Sequence, residues 1–375
     1  MPGALKLTLL VGPVPMPAPA EAMEALAEAK IVASAGDAPS GFELSFDLAP
    51  RSPLKTLFLL TGGGAAVPLL RVVLVVTLAG RAEPVADGVV THVEMVPGTG
   101  GVSRLVVKGK DLSALMDLME FTGLPYPAMP PAARVAMVLG KYSSFGAVPM
   151  VIPSVVEDVP IPVERTPAQK GTDYAYVKRL AEECGHVFYF EPGPAPGASK
   201  AYWGPEVRVG EPQPALTVNM DAATNVEQMS FSFDKERKIT PIVHFLEPNS
   251  KQTISVPIPD VSPLTPPLGA VPPLPPKFQK LDDTAQMSSA SALMTGIAFA
   301  ARHGDSVFGN GRLDVARYGR VLKSRRLVGV RGAGLPYDGL YYVTSVTHEI
   351  KRGHYAQSFS LARNALMSTL PRVPV

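Results

Sequence analysis

The chain has 375 residues, 46% of them hydrophobic and only 18% charged, with a formal net charge of +2. So weak a positive balance excludes a nucleic-acid binder driven by phosphate neutralisation, and equally a polybasic membrane-surface protein. The length predicts two or three domains, the 40 prolines and 33 glycines predict many short strands and turns, and the single cysteine, Cys184, leaves no intrachain disulfide.

Met1 to Lys6 lacks the basic and apolar regions of a secretory signal. Leu5 to Val11 reads as a strand, and Pro13, Pro15, Pro17 and Pro19 then force an extended segment. Glu21 to Lys30 has helix composition. Lys30 to Ser34 and Gly41 to Leu48 follow as strands, the second with Phe42, Leu44, Phe46 and Leu48 on one face. Leu57 to Leu60, Leu69 to Thr77, Val85 to Val96 and Val102 to Gly109 complete a group of short strands that predicts a barrel or sandwich. The most apolar window, Leu54 to Gly80, is broken by Lys55, Gly62 to Gly64, Pro68 and Arg71, which fits two strands and a loop better than a membrane span of ~20 apolar residues.

Lys110 to Phe121 repeats apolar residues at helical spacing, with Asp111 as a candidate cap. Ala132 to Lys141 is a second helix, and Pro149 to Pro167 is extended. Asp173 to Cys184 is a helix with Thr172 at its N-cap and Gly185 just past its end. Strands at His186 to Glu191 and Lys200 to Gly204 follow it and anchor an α/β unit. Met229 to Phe233 and Thr240 to Leu246 are strands, Pro257 to Pro276 is a proline-rich surface loop or linker, and Asp283 to His303 is a long helix.

Near the C-terminus, Tyr337 to Arg363 predicts a β-hairpin turned at Lys351-Arg352-Gly353. Leu340, Tyr342, Val346 and Ile350 share one face, with Thr344 and His348 between them, and Tyr355, Phe359 and Leu361 share a face on the return arm. The hairpin has an internal echo. Val89-Val90-Thr91-His92-Val93-Glu94 parallels Val346-Thr347-His348-Glu349, and Asp87-Gly88 and Asp338-Gly339 lie upstream. Turns at Pro97 to Gly101 and Lys351 to Gly353 follow, and Ala114-Leu115-Met116 and Ala365-Leu366-Met367 close the two copies. The order of these matches predicts two copies of one β domain.

No catalytic, cofactor or metal residue is expected. The six histidines (His92, His186, His244, His303, His348 and His354) do not pair at ligand spacing, and His348-Glu349 sits on a hairpin. There is no Gly-x-Ser-x-Gly elbow, Gly109-Lys110-Asp111 lacks the rest of a phosphate loop, and Gly329 to Gly334 precedes no helix. Cys184 at a helix C-terminus on an apolar stripe is unsuited to reactivity.

Three stretches resemble the tail-hub family of contractile machines, which includes phage late-control proteins and the hub part of VgrG. They are Thr172 to Tyr189, Gly339 to Tyr355, and Ser40 to Phe46 with Asp87 to Val90 beyond it. The resemblance implies a mainly β fold with α+β parts: two tube-like β-barrel domains plus a middle α/β domain. The units are expected at 1–120, 121–225 and 226–375, the last carrying a proline-rich insertion at about 250–282 and a helix. It further implies a non-enzymatic homotrimer that joins a sixfold inner tube to a threefold spike, lines the axial channel and meets baseplate wedge proteins. Such a chain is assembled in the bacterial cytoplasm into a tail-like particle. Because twelve residues follow Arg363, the spike is expected as a separate chain. A particle-associated peptidoglycan hydrolase and a glycan- or peptide-binding module are the alternatives.

Overall fold

The computed structural model describes residues 5–36, 39–48, 52, 70–97, 103–156, 159–163, 166–246, 252–260, 262–274, 276–282, 284 and 287–370. The predicted strand Leu57 to Leu60, the Gly62 to Gly64 loop and residues 98–101 of the first hairpin turn lie outside these.

The first part of the chain supplies β1 (Lys6–Val11), β2 (Met16–Pro17), α1 (Ala20–Ala25), β3 (Leu26–Ser34), β4 (Gly41–Leu48), β5 (Arg71–Leu78), β6 (Arg81–Pro97) and β7 (Ser103–Asp111). The helix expected over Glu21 to Lys30 stops at Ala25. From Leu26 the chain is strand, because Leu26 is buried against β4 and Ala29 and Ile31 are buried where β3 is paired along both edges. Tertiary pairing here overrides a local helix preference that isolated short helices need most. The alternation in β4 is as expected: Phe42, Leu44, Phe46 and Leu48 are all buried. Each such side chain contributes about 1.5–3 kcal/mol by leaving water.

The helix expected over Lys110 to Phe121 shrinks to α2 (Ser113–Met116). Lys110 and Asp111 end β7 instead, the Asp111 carboxylate accepts a bond from the Ser113 N–H at 3.0 Å, and Leu118 and Met119 are exposed. The middle part comprises α3 (Pro131–Gly140), β8 (Ala147–Val151), α4 (Asp173–Cys184), β9 (Val187–Pro192) and β10 (Ser199–Gly204). The caps of α4 are as the sequence predicts: Thr172 Oγ1 accepts from the Ala175 N–H at 3.2 Å, and Gly185 is left-handed at φ 67. The α4 stripe of Tyr176, Val177, Leu180, Ala181 and Cys184 packs on the sheet β8-β10-β9, around the fully buried Trp203.

The last part supplies β11 (Gln213–Thr217), β12 (Gln228–Phe233), β13 (Ile239–Leu246), β14 (Thr253–Pro257), β15 (Gly269–Val271), β16 (Lys277–Leu281), α5 (Ser289–Arg302), β17 (Val307–Asp314), α6 (Val315–Tyr318), β18 (Leu327–Arg331), β19 (Gly339–Lys351), β20 (His354–Arg363) and β21 (Leu366–Ser368). The proline-rich stretch is more than a surface loop. Ile258 and Leu268 are buried, and the Leu268 and Gly269 N–H groups both donate to Asn364 Oδ1, at 3.0 and 3.3 Å.

The fold is mainly β with α+β parts, as expected. Among the described residues the principal sheet has thirteen strands in the order β12-β17-β20-β19-β3-β4-β7-β6-β5-β1-β2, with β18 also on β19 and β11 on β18, and it does not close into a barrel. The strands of the first and last parts of the chain are therefore joined edge to edge through β19 and β3, and one hydrophobic cluster spans both.

The joining strand β19 is bent. A register shift between Val343 and Ser345 moves its two halves onto different partners: Tyr342 pairs with Leu327 of β18, while Ser345 to Lys351 pair with β3. The shift also swaps faces. Val346, His348 and Ile350 face the main core as expected, but before the bulge it is Tyr341 and Val343 that do so. Tyr342 turns the other way, into a small cluster with Ala35, Leu268 and Leu327. On the return arm Tyr355, Phe359 and Leu361 share the core face.

Candidate assembly surface

The strands β12, β17, β20, β19, β3, β4, β7 and β6 form an uninterrupted wall in which every neighbour is antiparallel. One face of this wall is packed on the core and the other is polar. Register fixes what lies side by side on the polar face. His92, Lys108, Glu43, Lys30 and Glu349 run directly across from β6 to β19. From Lys108 to Glu349 opposite charges therefore alternate from strand to strand, the arrangement that stabilises cross-strand pairs. Lys108 Nζ is 3.5 Å from Glu43, and Glu349 is held from the other side by Arg312 at 2.8 Å. A second row, Ser230, Asn310, Ser360, Ser345 and Ser34, carries no charge, and the Ser360 hydroxyl donates to Asn310 Oδ1 at 2.9 Å.

Among the described residues the wall is open along β12 and along the second half of β6, whose first half continues the sheet onto β5. β12 pairs only with β17, and residues 91–97 of β6 pair only with β7. β12 (Gln-Met-Ser-Phe-Ser-Phe) contains neither proline nor charge, the devices that usually guard an exposed edge. Its exposure alternates, with Gln228, Ser230 and Ser232 outward and Met229, Phe231 and Phe233 against the core.

The wall is seated on the middle unit through buried polar groups. Arg71 of β5 makes a two-pronged pair with Asp87 of β6, both contacts at 2.7 Å, and also donates to the carbonyls of Phe145 and Gly197 at 2.8 and 2.9 Å. The Ser199 hydroxyl of β10 donates to the same Asp87 carboxylate at 2.8 Å. Arg208, just past β10, clamps Asp305, just before β17, at 2.6 and 2.7 Å; burial works to lower its pKa, but the charges of Asp305 and Glu206 outweigh it and the pKa is raised. Arg325 of the last unit donates to the Ser34 carbonyl and to Ser40 Oγ of the first, and lies over the Tyr189 ring of the middle one. These contacts were not legible in the sequence, since each joins residues far apart along the chain; Asp87-Gly88 of the echo is the one signal that pointed at a participant.

The histidines are dispersed. His348 is buried with Nδ1 2.6 Å from the Tyr355 hydroxyl and 3.4 Å from Gln357 Nε2, and burial lowers its pKa to about 4. Its neighbour Glu349 points to the opposite, polar face, so the His-Glu pair cannot act on one substrate. The echo residue His92 is exposed instead, 3.9 Å from Glu94, because a register shift between Val90 and His92 has reversed the faces there. His186 packs edge-on against Trp203 and is likewise lowered to about 4 by burial. His244 lies 2.8 Å from Ser255 Oγ, His303 2.9 Å from the Phe299 carbonyl, and His354 3.9 Å from Asp314. Among the described residues no three His, Cys, Asp or Glu side chains come together in a metal-holding group, and no helix is long and apolar enough to cross a membrane.

No protein-family model and no curated protein matches the sequence. Solved structures do match. The fold is similar to that of a tail protein from Neisseria meningitidis, with a TM-score of 0.60 and 13% identity over 96% of this chain and 97% of that one. It is similar to the 43 kDa tail protein of prophage MuSo2 from Shewanella oneidensis, with a TM-score of 0.56 and 13% identity over 98% and 100%. It is also similar to the Escherichia coli c3393 protein, a component of the type VI secretion system that itself resembles the T4 bacteriophage tail proteins gp27 and gp5; there the TM-score is 0.51 with 13% identity over 99% and 81%. At this identity the likeness is one of fold. The chain has the fold of phage tail and VgrG-related proteins, as the three sequence stretches implied.

Proposed function

We propose that the chain is a structural subunit of a tail-like particle's baseplate: a homotrimeric hub that adapts a sixfold inner tube to a threefold spike and lines the axial channel between them. The observation that carries this reading is the eight-stranded antiparallel wall in which, among the described residues, β12 and residues 91–97 of β6 have no strand on their outer side. With eight alternating strands, β12 and β6 run in opposite directions. Copies related by rotation about an axis along the wall therefore meet edge to edge as antiparallel neighbours, and a head-to-tail contact of this kind closes into a ring. Three copies would give a circumference of roughly 115 Å at the usual strand spacing of about 4.8 Å, hence a cylinder roughly 37 Å across before side chains. The polar face would then line the channel, with opposite charges side by side on it. Two β units per chain supply six around the ring. The role is mechanical, not catalytic, and the particle is assembled in the bacterial cytoplasm with tube, spike and wedge proteins.

Native mass spectrometry of the full chain tests the reading. Three copies per particle are expected, and addition of the tube protein should give a larger complex. A stable monomer that cleaves peptidoglycan would overturn the proposal.

A further inference from the structure

Residues 315–331 carry six cations (Arg317, Arg320, Lys323, Arg325, Arg326 and Arg331) and no acid, in a chain whose net charge is only +2. The structure accounts for part of this run. Arg325 is the wedge between units, Lys323 pairs with Glu83 at 3.2 Å, and Arg326 approaches Glu191 at 3.7 Å. Arg317 and Arg320 are exposed and have no acidic partner among the described residues.

Their position is set by Asp314, the last residue of β17. Its Oδ1 accepts from the Arg317 N–H at 2.9 Å, and its Oδ2 is 3.9 Å from the His354 ring of the β19–β20 turn. Asp314 thus ties α6 to that turn, where Lys351, Arg352 and His354 are all exposed. Lys351 is matched by Glu28 at 3.4 Å, and Arg352 reaches only the Glu24 carbonyl, so its charge is uncompensated. The opposite end of the wall abuts the middle unit, through Arg208–Asp305 and through Gly36 against Val187. Among the described residues the basic cluster therefore stands at the end of the wall opposite these contacts.

We propose that α6 and the β19–β20 turn form a docking surface for an acidic face of the protein that stacks on the hub along the channel axis, the tube protein of the same particle. This rests on the hub reading and adds to it which end of the wall takes the next ring and by what chemistry. Three exposed arginines at one end of the wall favour carboxylates, which accept the planar guanidinium two-pronged. The chain's small net charge disfavours a nucleic acid, whose binding draws on many cations.

The test uses the full chain and the tube protein encoded beside it, with binding followed by light scattering at ~50 mM and ~300 mM salt. Native mass is read first, so that a chain that fails to trimerise reports on the hub reading and not on this surface. With the trimer intact, R317E/R320E and R352E are each expected to weaken tube binding tenfold or more, R317K/R320K to lose less, and the higher salt to weaken the wild type. The variants should melt with the wild type, since all three side chains are exposed. Tube binding unchanged by both charge reversals or by salt would overturn the proposal. So would binding of a 30-base-pair DNA duplex that the reversals abolish while tube binding persists.

Discussion

The guanidinium carbon of Arg325 lies 4.0 Å from the centroid of the Tyr189 ring. Arg325 belongs to the last unit and Tyr189 to the middle one, while the same guanidinium donates to Ser34 and Ser40 of the first. One side chain therefore touches all three parts of the chain, and it does so from a left-handed backbone (φ 64) that arginine adopts only when its surroundings require it. Arg325→Ala is expected to destabilise the protein by roughly 2–4 kcal/mol, combining a lost cation–π contact with charge-assisted bonds. Arg325→Lys should recover less than half, because an ammonium lacks the planar fork. Urea denaturation of the two variants measures both effects.

Asp87 is the stricter case, because its partner has nowhere to go. Arg71 is buried and spends its donors on Asp87, Phe145 and Gly197, so Asp87→Ala leaves a guanidinium without its counter-charge. The expected cost is about 3–5 kcal/mol. Replacing both partners with apolar residues, as in R71M/D87L, should cost less than D87A alone, since no uncompensated charge remains. If the double variant proves the worse of the two, the burial penalty is not what governs this site.

Local chemistry made much of the fold readable in advance. The alternation of β4, the Thr172 and Gly185 caps of α4 and the Tyr355 face of β20 each follow from residues within one element. What escaped depended on partners distant in sequence. Leu26 to Lys30 is strand and not helix because β4 and β19 flank it, and β19 pairs with it from more than 300 residues away. The bulge at Val343 to Ser345 likewise has no sequence mark, yet it decides that Tyr342 leaves the main core. That β12 and residues 91–97 of β6 lack an outer partner among the described residues is a property of the strand order and appears in no single strand's sequence.

The two Asp-Gly pairs of the internal echo need glycine for different reasons. A Cβ on Gly88 would stand 2.0 Å from the Lys110 carbonyl oxygen of β7, with an ordinary strand backbone. Gly339 is at φ 136 and faces Arg363. Gly88→Ala must therefore push β6 and β7 apart, and is expected to cost roughly 3 kcal/mol, at the upper end for overpacking. A thermal melt unchanged from wild type would show that the two strands yield freely at that point.

His348 gives the fold an acid-sensitive element at the strand that joins the two β units. Nδ1 lies 2.6 Å from the Tyr355 hydroxyl, and burial holds the folded-state pKa at about 4 against an ordinary value of 6.5. A histidine lowered in the folded state binds more protons when unfolded. Its stabilising contribution is therefore complete above about pH 6.5 and is lost progressively as the pH falls toward 4, about 3 kcal/mol in all. His186, also at about 4, acts in the same direction from the middle unit, so the two must be separated by single variants. His348→Gln can keep the contact with Tyr355 without titrating. It is expected to flatten the fall in stability between pH 6.5 and 4.5 by about half, as read from urea midpoints at a series of pH values. An unaltered slope in that variant would assign the acid sensitivity to His186 or to the carboxylates instead.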